Sequence, residues 1–263
     1  MDLLGWLRIA CRLPLLSMVL FTGLACLLIV RVLEKPLFGL DRPWTPILVQ
    51  GVCKAALAII GLSVTRHGTP MRLRGGMVAN HGSWLDIFVL NAGARVYFVS
   101  KEEVAQWPGI GWLARATGTL FIARKAQGAR DQRALFEARL LAGNKLLFFP
   151  EGTSSDSLRV LPFKSTLFAA FLSEGLRETN WVQPVTVIYS APQGGDRRFY
   201  GWWGDMAFGP HLLKLLAARK HGSVTVHYHA PLKASEFHDR KALAEVCEGI
   251  VRSVFPSQAE LQS

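Results

Sequence analysis

Asn80-His81-Gly82-Ser83-Trp84-Leu85-Asp86 sets an imidazole and a carboxylate five residues apart, between a Gly-rich turn and an apolar run. An α-helix advances about 100° per residue, so five steps turn roughly 500° and leave the two side chains on different faces. His81 is therefore expected outside the helix that Asp86 enters. At a loop-to-helix junction the carboxylate can meet the imidazole, set its tautomer and stabilise the imidazolium once it has taken a proton. The pair reads as a general base waiting for a hydroxyl. The same residues carry a plainer reading, since Ser83 followed three positions later by Asp86 is an N-cap pattern with an acid in the first helical turn.

Outward from this stretch, short apolar runs alternate with helical periods from Met71 onward. Segments 95–100 (RVYFVS), 118–122, 145–149 and 182–189 have the β-branched and aromatic content of buried strands, and 224–229 (VTVHYH) adds a late one. Segment 127–142 has apolar residues at helical spacing and is closed by Gly143-Asn144, while 241–255 reads as a final helix. Strands alternating with helices argue for an α/β sandwich.

The N-terminal region differs. Leu13 to Val30 is an 18-residue run without a charge, which as a helix reaches roughly 27 Å against a hydrocarbon core of about 30 Å. A second apolar stretch, 46–64, is interrupted by Gln50 and Lys54, and the linker between them holds Pro36, Pro43, Trp44 and Pro46. Arg8, Arg12, Arg31 and Lys35 flank the first run on both sides, so charge asymmetry gives no orientation. A helical hairpin dipping into one leaflet satisfies these facts better than a single crossing. A cleaved signal peptide and a buried core hairpin are the alternatives. The division expected is a membrane-associating helical hairpin over 1–66 and an α/β domain over 67–263.

Half of the 263 residues are hydrophobic, eight are Trp, and the net charge is +11. That balance points to an anionic surface as partner. Nucleic acid is disfavoured, because no basic helix or aromatic-basic interleaving is present, and an anionic lipid leaflet fits better. Cys11, Cys26, Cys53 and Cys247 are far apart and form no paired spacing, which argues against a disulfide framework or zinc site and for a reducing, cytoplasmic setting.

Three further blocks follow the first in order: 118–124 (GTLFIAR), 149–155 (FPEGTSS) and 182–187 (VQPVTV). With them the chain resembles the bacterial 1-acylglycerol-3-phosphate acyltransferase (PlsC-like) family over about 72–187. The resemblance implies a glycerolphosphate-acyltransferase-like fold, a mixed β-sheet flanked by helices, at the bacterial inner membrane with its site facing the cytoplasm. It also implies O-acyl transfer from an acyl thioester, on acyl carrier protein or coenzyme A, to the free hydroxyl of a lyso-lipid, with no bound cofactor or metal.

By the same resemblance His81 and Asp86 are the catalytic pair, Arg124 holds the acceptor's anionic headgroup, and Glu151, Gly152 and Thr153 belong to the acceptor site. Gly152 permits the backbone that a cradling loop needs. The usual Arg after Thr153 is Ser154 here, which weakens the case for a glycerol phosphate headgroup. Lys164 matches a downstream family position and could supply a cation instead. The serine-containing form 152–156 (GTSSD) with 161–165 (LPFKS) behind it is similar to the branch that acylates lyso-ornithine lipid. The rival acceptor is lysophosphatidate, and one enzyme could use both. An acyl thioesterase and a non-enzymatic membrane-binding module are the remoter readings. His227 and His229 alternate along a strand at a spacing seen in metal sites, but no third ligand is visible nearby. Trp202-Trp203 beside Arg197 and Arg198 fits either a membrane interface or an aromatic core loop.

Overall fold

Among the described residues eight strands form one mixed sheet, and helices cover both of its faces. The computed structural model describes residues 2–39, 41–122 and 129–255, with the backbone alone for 129–133. In chain order the elements are α1 (Leu3–Phe38), α2 (Thr45–Ile60), β1 (Ser63–His67), β2 (Gly75–Ala79), α3 (Asp86–Gly93), β3 (Tyr97–Lys101), α4 (Ile110–Ala116), β4 (Leu120–Ile122) and α5 (Ala129–Leu141). Then follow β5 (Leu146–Phe148), β6 (Trp181–Ser190), α6 (Phe208–Ala217), β7 (Ser223–Tyr228), β8 (Leu232–Lys233) and α7 (Arg240–Ser253). The sheet order is β1-β7-β6-β2-β5-β3-β4, with β8 also paired to β6. Among the described residues only the pairings of β6 with β7 and β8 are antiparallel.

Alternation along the central strands sorts the core into two layers. Met77 and Ala79 of β2, Phe98 of β3 and Leu147 of β5 point to the face covered by α1, α2, α3 and α6. Val78, Tyr97, Val99, Leu146 and Phe148 point to the other, covered by α5, α7 and the 3-10 turn Leu167–Leu172. Burial on both faces explains why β3 and β5 read as continuous apolar runs. The glycine-rich β2 and the polar edge strand β1 (SVTRH) lack that signature, and the sequence showed neither. β1 spans the expected division at residue 66 and pairs in parallel with β7.

Helix α1 is longer than its uncharged run. It is 36 residues, about 54 Å, and is long and apolar enough to cross a membrane by length and composition. Its buried positions, Gly5, Ile9, Leu16, Gly23, Leu27 and Glu34, form one seam against the rest of the protein. Leu3, Trp6, Met18, Phe21, Ile29 and Val32 lie exposed on its other sides. Pro36 falls in the last turn of α1 rather than in a linker, and Pro46 sits in the first turn of α2, where the missing N–H costs nothing.

Charges on α1 that left its orientation open by sequence are used inside the protein. Arg8 Nε donates to the Ala217 carbonyl (2.6 Å), and Arg12 donates to those of Leu216 and Ala218 (2.9 and 2.8 Å), satisfying the C-terminal end of α6. At the other end, Glu34 is fully buried and accepts from the N–H groups of Trp44 and Thr45 and from Thr45 Oγ1 at 2.7, 2.8 and 2.6 Å. A carboxylate thus caps the start of α2 and ties the two helices together.

Candidate active site

The parallel strands β2 and β5 lie side by side, and the site forms where the chain leaves their carboxyl ends, as open α/β sheets favour. Asn80 continues the β2 ladder with its side chain. Its Nδ2 donates to the Val187 carbonyl (2.8 Å) and its Oδ1 accepts from the Val187 N–H (2.7 Å), so β6 stays satisfied while the main chain turns away. His81 then sits in a loop, and α3 begins at Asp86, the junction expected from the five-residue spacing.

His81 Nδ1 and Asp86 Oδ2 are 2.7 Å apart. The same Oδ2 accepts from the N–H groups of Gly82 and Ser83 at 2.9 and 3.1 Å. Asp86 Oδ1 accepts from the Tyr189 hydroxyl at 2.7 Å. Asp86 is fully buried, so these four donors replace its hydration and keep the carboxylate aimed at the ring. The base-orienting reading is realised; of the N-cap reading only the acid in the first turn holds, because α3 is capped at Leu85 with no side-chain cap hydrogen bond rather than by Ser83. The imidazole stacks on Phe149, with centroids 4.0 Å apart and 9° between planes. Its Nε2 takes no hydrogen bond among the described residues. A cavity of about 440 Å³ opens beside it, with walls from His81, Trp84, Phe149 and Trp202 and from apolar side chains of α1, α2 and α4. A tethered Nδ1 and a free Nε2 facing an apolar cavity can accept a proton from a hydroxyl brought there.

The loop after β5 and the segment after β6 hold this junction from behind. The Ser155 N–H donates to the His81 carbonyl (2.8 Å) and the Trp202 N–H to that of Gly82 (3.0 Å). A Cβ at Gly82 would come 2.8 Å from Ser157 Cβ, so only glycine allows the close approach. Glu151 Oε1 accepts from the His81 N–H at 3.2 Å, while Oε2 is buried with no partner among the described residues. Burial pushes the Glu151 carboxyl up to about 8, against smaller lowering by the N–H groups of His81 and Leu161.

Comparison with known proteins follows this geometry. A lyso-ornithine lipid O-acyltransferase from Rhodobacter capsulatus is 55% identical over 96% of this chain and 91% of its own. This chain belongs to the acyltransferase family. The family model described as "Acyltransferase" matches residues 67–188. A 1-acyl-sn-glycerol-3-phosphate acyltransferase from Neisseria gonorrhoeae is 34% identical over 79% of this chain and 80% of its own. The crystal structure of the 1-acyl-sn-glycerophosphate acyltransferase PlsC from Thermotoga maritima shares the fold, with a TM-score of 0.60 and 23% identity, covering 97% of this chain and 98% of that one.

In this acyltransferase the other expected site residues are arranged unevenly. Gly152 has φ +70°, and Lys164 Nζ lies 3.0 Å from where its Cβ would be, so the loop and the lysine meet as a pair. Thr153 is exposed, and Ser154 is half-buried. Arg124 lies outside the described residues. His229 Nε2 is hydrogen-bonded with Thr186 Oγ1 (2.8 Å), and His227 stacks on His67. Trp202 donates to the Met206 carbonyl and packs edge-on against Trp107 at the cavity wall. Tyr189 and Phe149 had not been singled out for any role. Phe149 was legible only as part of its block, and Tyr189 carried no signal, because its contact with Asp86 spans 103 positions.

Proposed function

We propose that the enzyme moves a fatty acyl group from an acyl thioester, on acyl carrier protein or coenzyme A, to the free hydroxyl of lyso-ornithine lipid. His81 Nε2 removes the hydroxyl proton as the oxygen attacks the thioester carbonyl carbon. The tetrahedral intermediate collapses, the C–S bond breaks, and the imidazolium returns the proton to the departing thiolate. Thiols ionise near pH 8.5, so this leaving group departs readily. Asp86 holds the ring and stabilises the imidazolium. Arg124, Lys164 and the loop of Glu151, Gly152 and Thr153 hold the headgroup.

The observation that carries this reading is the 2.7 Å contact of His81 with Asp86 at the wall of an apolar cavity. The ornithine acceptor is favoured over lysophosphatidate by the relative named for it at 55% identity and by Ser154, which stands where the family's usual arginine follows Thr153. The exposed apolar side of α1, with the +11 charge, supports seating on the anionic cytoplasmic leaflet of a bacterial inner membrane. Purified protein given labelled acyl thioester with lyso-ornithine lipid and lysophosphatidate in parallel tests it. Labelled ornithine lipid as the main product is expected. Acylation of lysophosphatidate alone refutes the acceptor assignment and keeps the reaction class.

A further inference from the structure

A second, open pocket of about 430 Å³ lies where the C-terminal part of α1 meets α4, lined by Leu24, Leu28, Arg31, Arg42, Trp112, Arg115 and Ala116. Three guanidinium groups share it, and none of its lining residues among those described is acidic. Glu34 pairs with Arg31 at 3.3 Å while also accepting from the start of α2, and Arg42 and Arg115 have no ion pair among the described residues. Arg42 donates to the Ala116 carbonyl at 3.1 Å, and its Nε is buried without a hydrogen-bond partner among the described residues. Behind it Arg139, 7% exposed, stacks on the Tyr97 ring at 4.7 Å and also leaves its Nε unpartnered. Burial, then repulsion from Arg31 and Arg139, pulls Arg42 down to about 10 against smaller raising by Tyr97 and Glu34.

The surroundings limit what can neutralise it. Leu28 and Trp112 are 55% and 61% exposed, and Leu24 also lines the catalytic cavity. A cationic end therefore abuts an apolar strip formed by Leu24, Leu28 and Trp112. A matching ligand has a phosphate at one end and hydrocarbon at the other.

We propose that this pocket binds the phosphate of one anionic membrane phospholipid, with an acyl chain along Leu24 and Leu28, as a site separate from the acceptor site at His81. The proposal rests on α1 lying at a membrane, as read above. It is tested by tryptophan quenching of the full-length protein in vesicles containing phosphatidylglycerol or phosphatidylcholine brominated on the acyl chains. The difference between wild type and Trp112→Phe isolates Trp112. That fraction should be quenched saturably and selectively by brominated phosphatidylglycerol, about fivefold more weakly in Arg115→Gln. Arg42→Gln should act alike, but Arg42 also anchors α4, so the exposed Arg115 provides the safer variant.

Equal quenching of Trp112 by both lipids, or no effect of Arg115→Gln, overturns the site. Displacement by soluble glycerol phosphate at concentrations matching the lipid overturns the lipid assignment and leaves a free-phosphate site. Quenching of the remaining exposed tryptophans, Trp6, Trp44 and Trp107, reports membrane seating by itself. If neither lipid quenches them, the membrane reading fails and takes this proposal with it. If both lipids do while Trp112 shows no preference, only the pocket assignment fails.

Discussion

Replacing Tyr189 with Phe removes one hydroxyl and keeps the ring in place against Tyr200, 5.4 Å away between centroids. That hydroxyl is the partner of Asp86 Oδ1 at 2.7 Å. Burial, reinforced by the Asp86 charge, holds the phenol well above its usual pKa, so it remains a donor throughout the working pH range. A hydrogen bond to a charged group is worth about 1.5–3 kcal/mol, and Asp86 is too buried for water to substitute. For a chain of this size the loss lowers the melting temperature by about 3–12 °C. The imidazole is then held by a carboxylate with one anchor fewer, so kcat/KM falls as well. Calorimetry and acyl-transfer rates measure both. An unchanged melting temperature together with an unchanged kcat/KM would refute the idea that Tyr189 holds the pair.

His81→Ala should lower acyl transfer by about 10² to 10⁴ while thioester binding in the cavity persists, measured by single-turnover rates beside equilibrium binding. Glu151→Gln should flatten the pH dependence of stability. Between the ordinary 4.5 and the buried value of about 8, the unfolded chain has lost this proton and the folded chain retains it. Wild-type stability therefore falls as pH rises through that window, and a glutamine lacks the penalty. Urea unfolding at both ends of the window should reveal a difference of up to roughly 5 kcal/mol, an upper bound set by the shift; parallel curves for the two proteins would sink the assignment. Glu34→Ala should cost about 1–2 kcal/mol by uncapping α2, with faster hydrogen exchange at the amides of Trp44 and Thr45. Exchange spread evenly over α2 would argue against a local cap.

β3, β5 and β6 are legible as apolar runs because they are buried between helix layers, and β7 is legible because buried and half-buried residues alternate along it. β1 and β2 lack these patterns for separate reasons. β1 lies at the sheet edge with exposed polar residues, and β2 opens with two glycines, so neither carries a β-branched alternating pattern. The α1 boundary was missed because charge marked the end of the apolar run, whereas Arg31 and Glu34 are charges the protein uses within the helix.

By itself the sequence determined that His81 must stand outside the helix of Asp86, because helical geometry forbids a five-residue step on one face. Ordered blocks determined the family in the same way, since each block keeps its chemistry within a few residues. Only the tertiary structure decided that Tyr189 and two backbone N–H groups join His81 on one carboxylate. It alone brought Phe149 under the imidazole and opened the cavity between the first two helices and the sheet. Those contacts join positions up to about a hundred residues apart, and local propensity carries no record of which distant side chain will fill a given space.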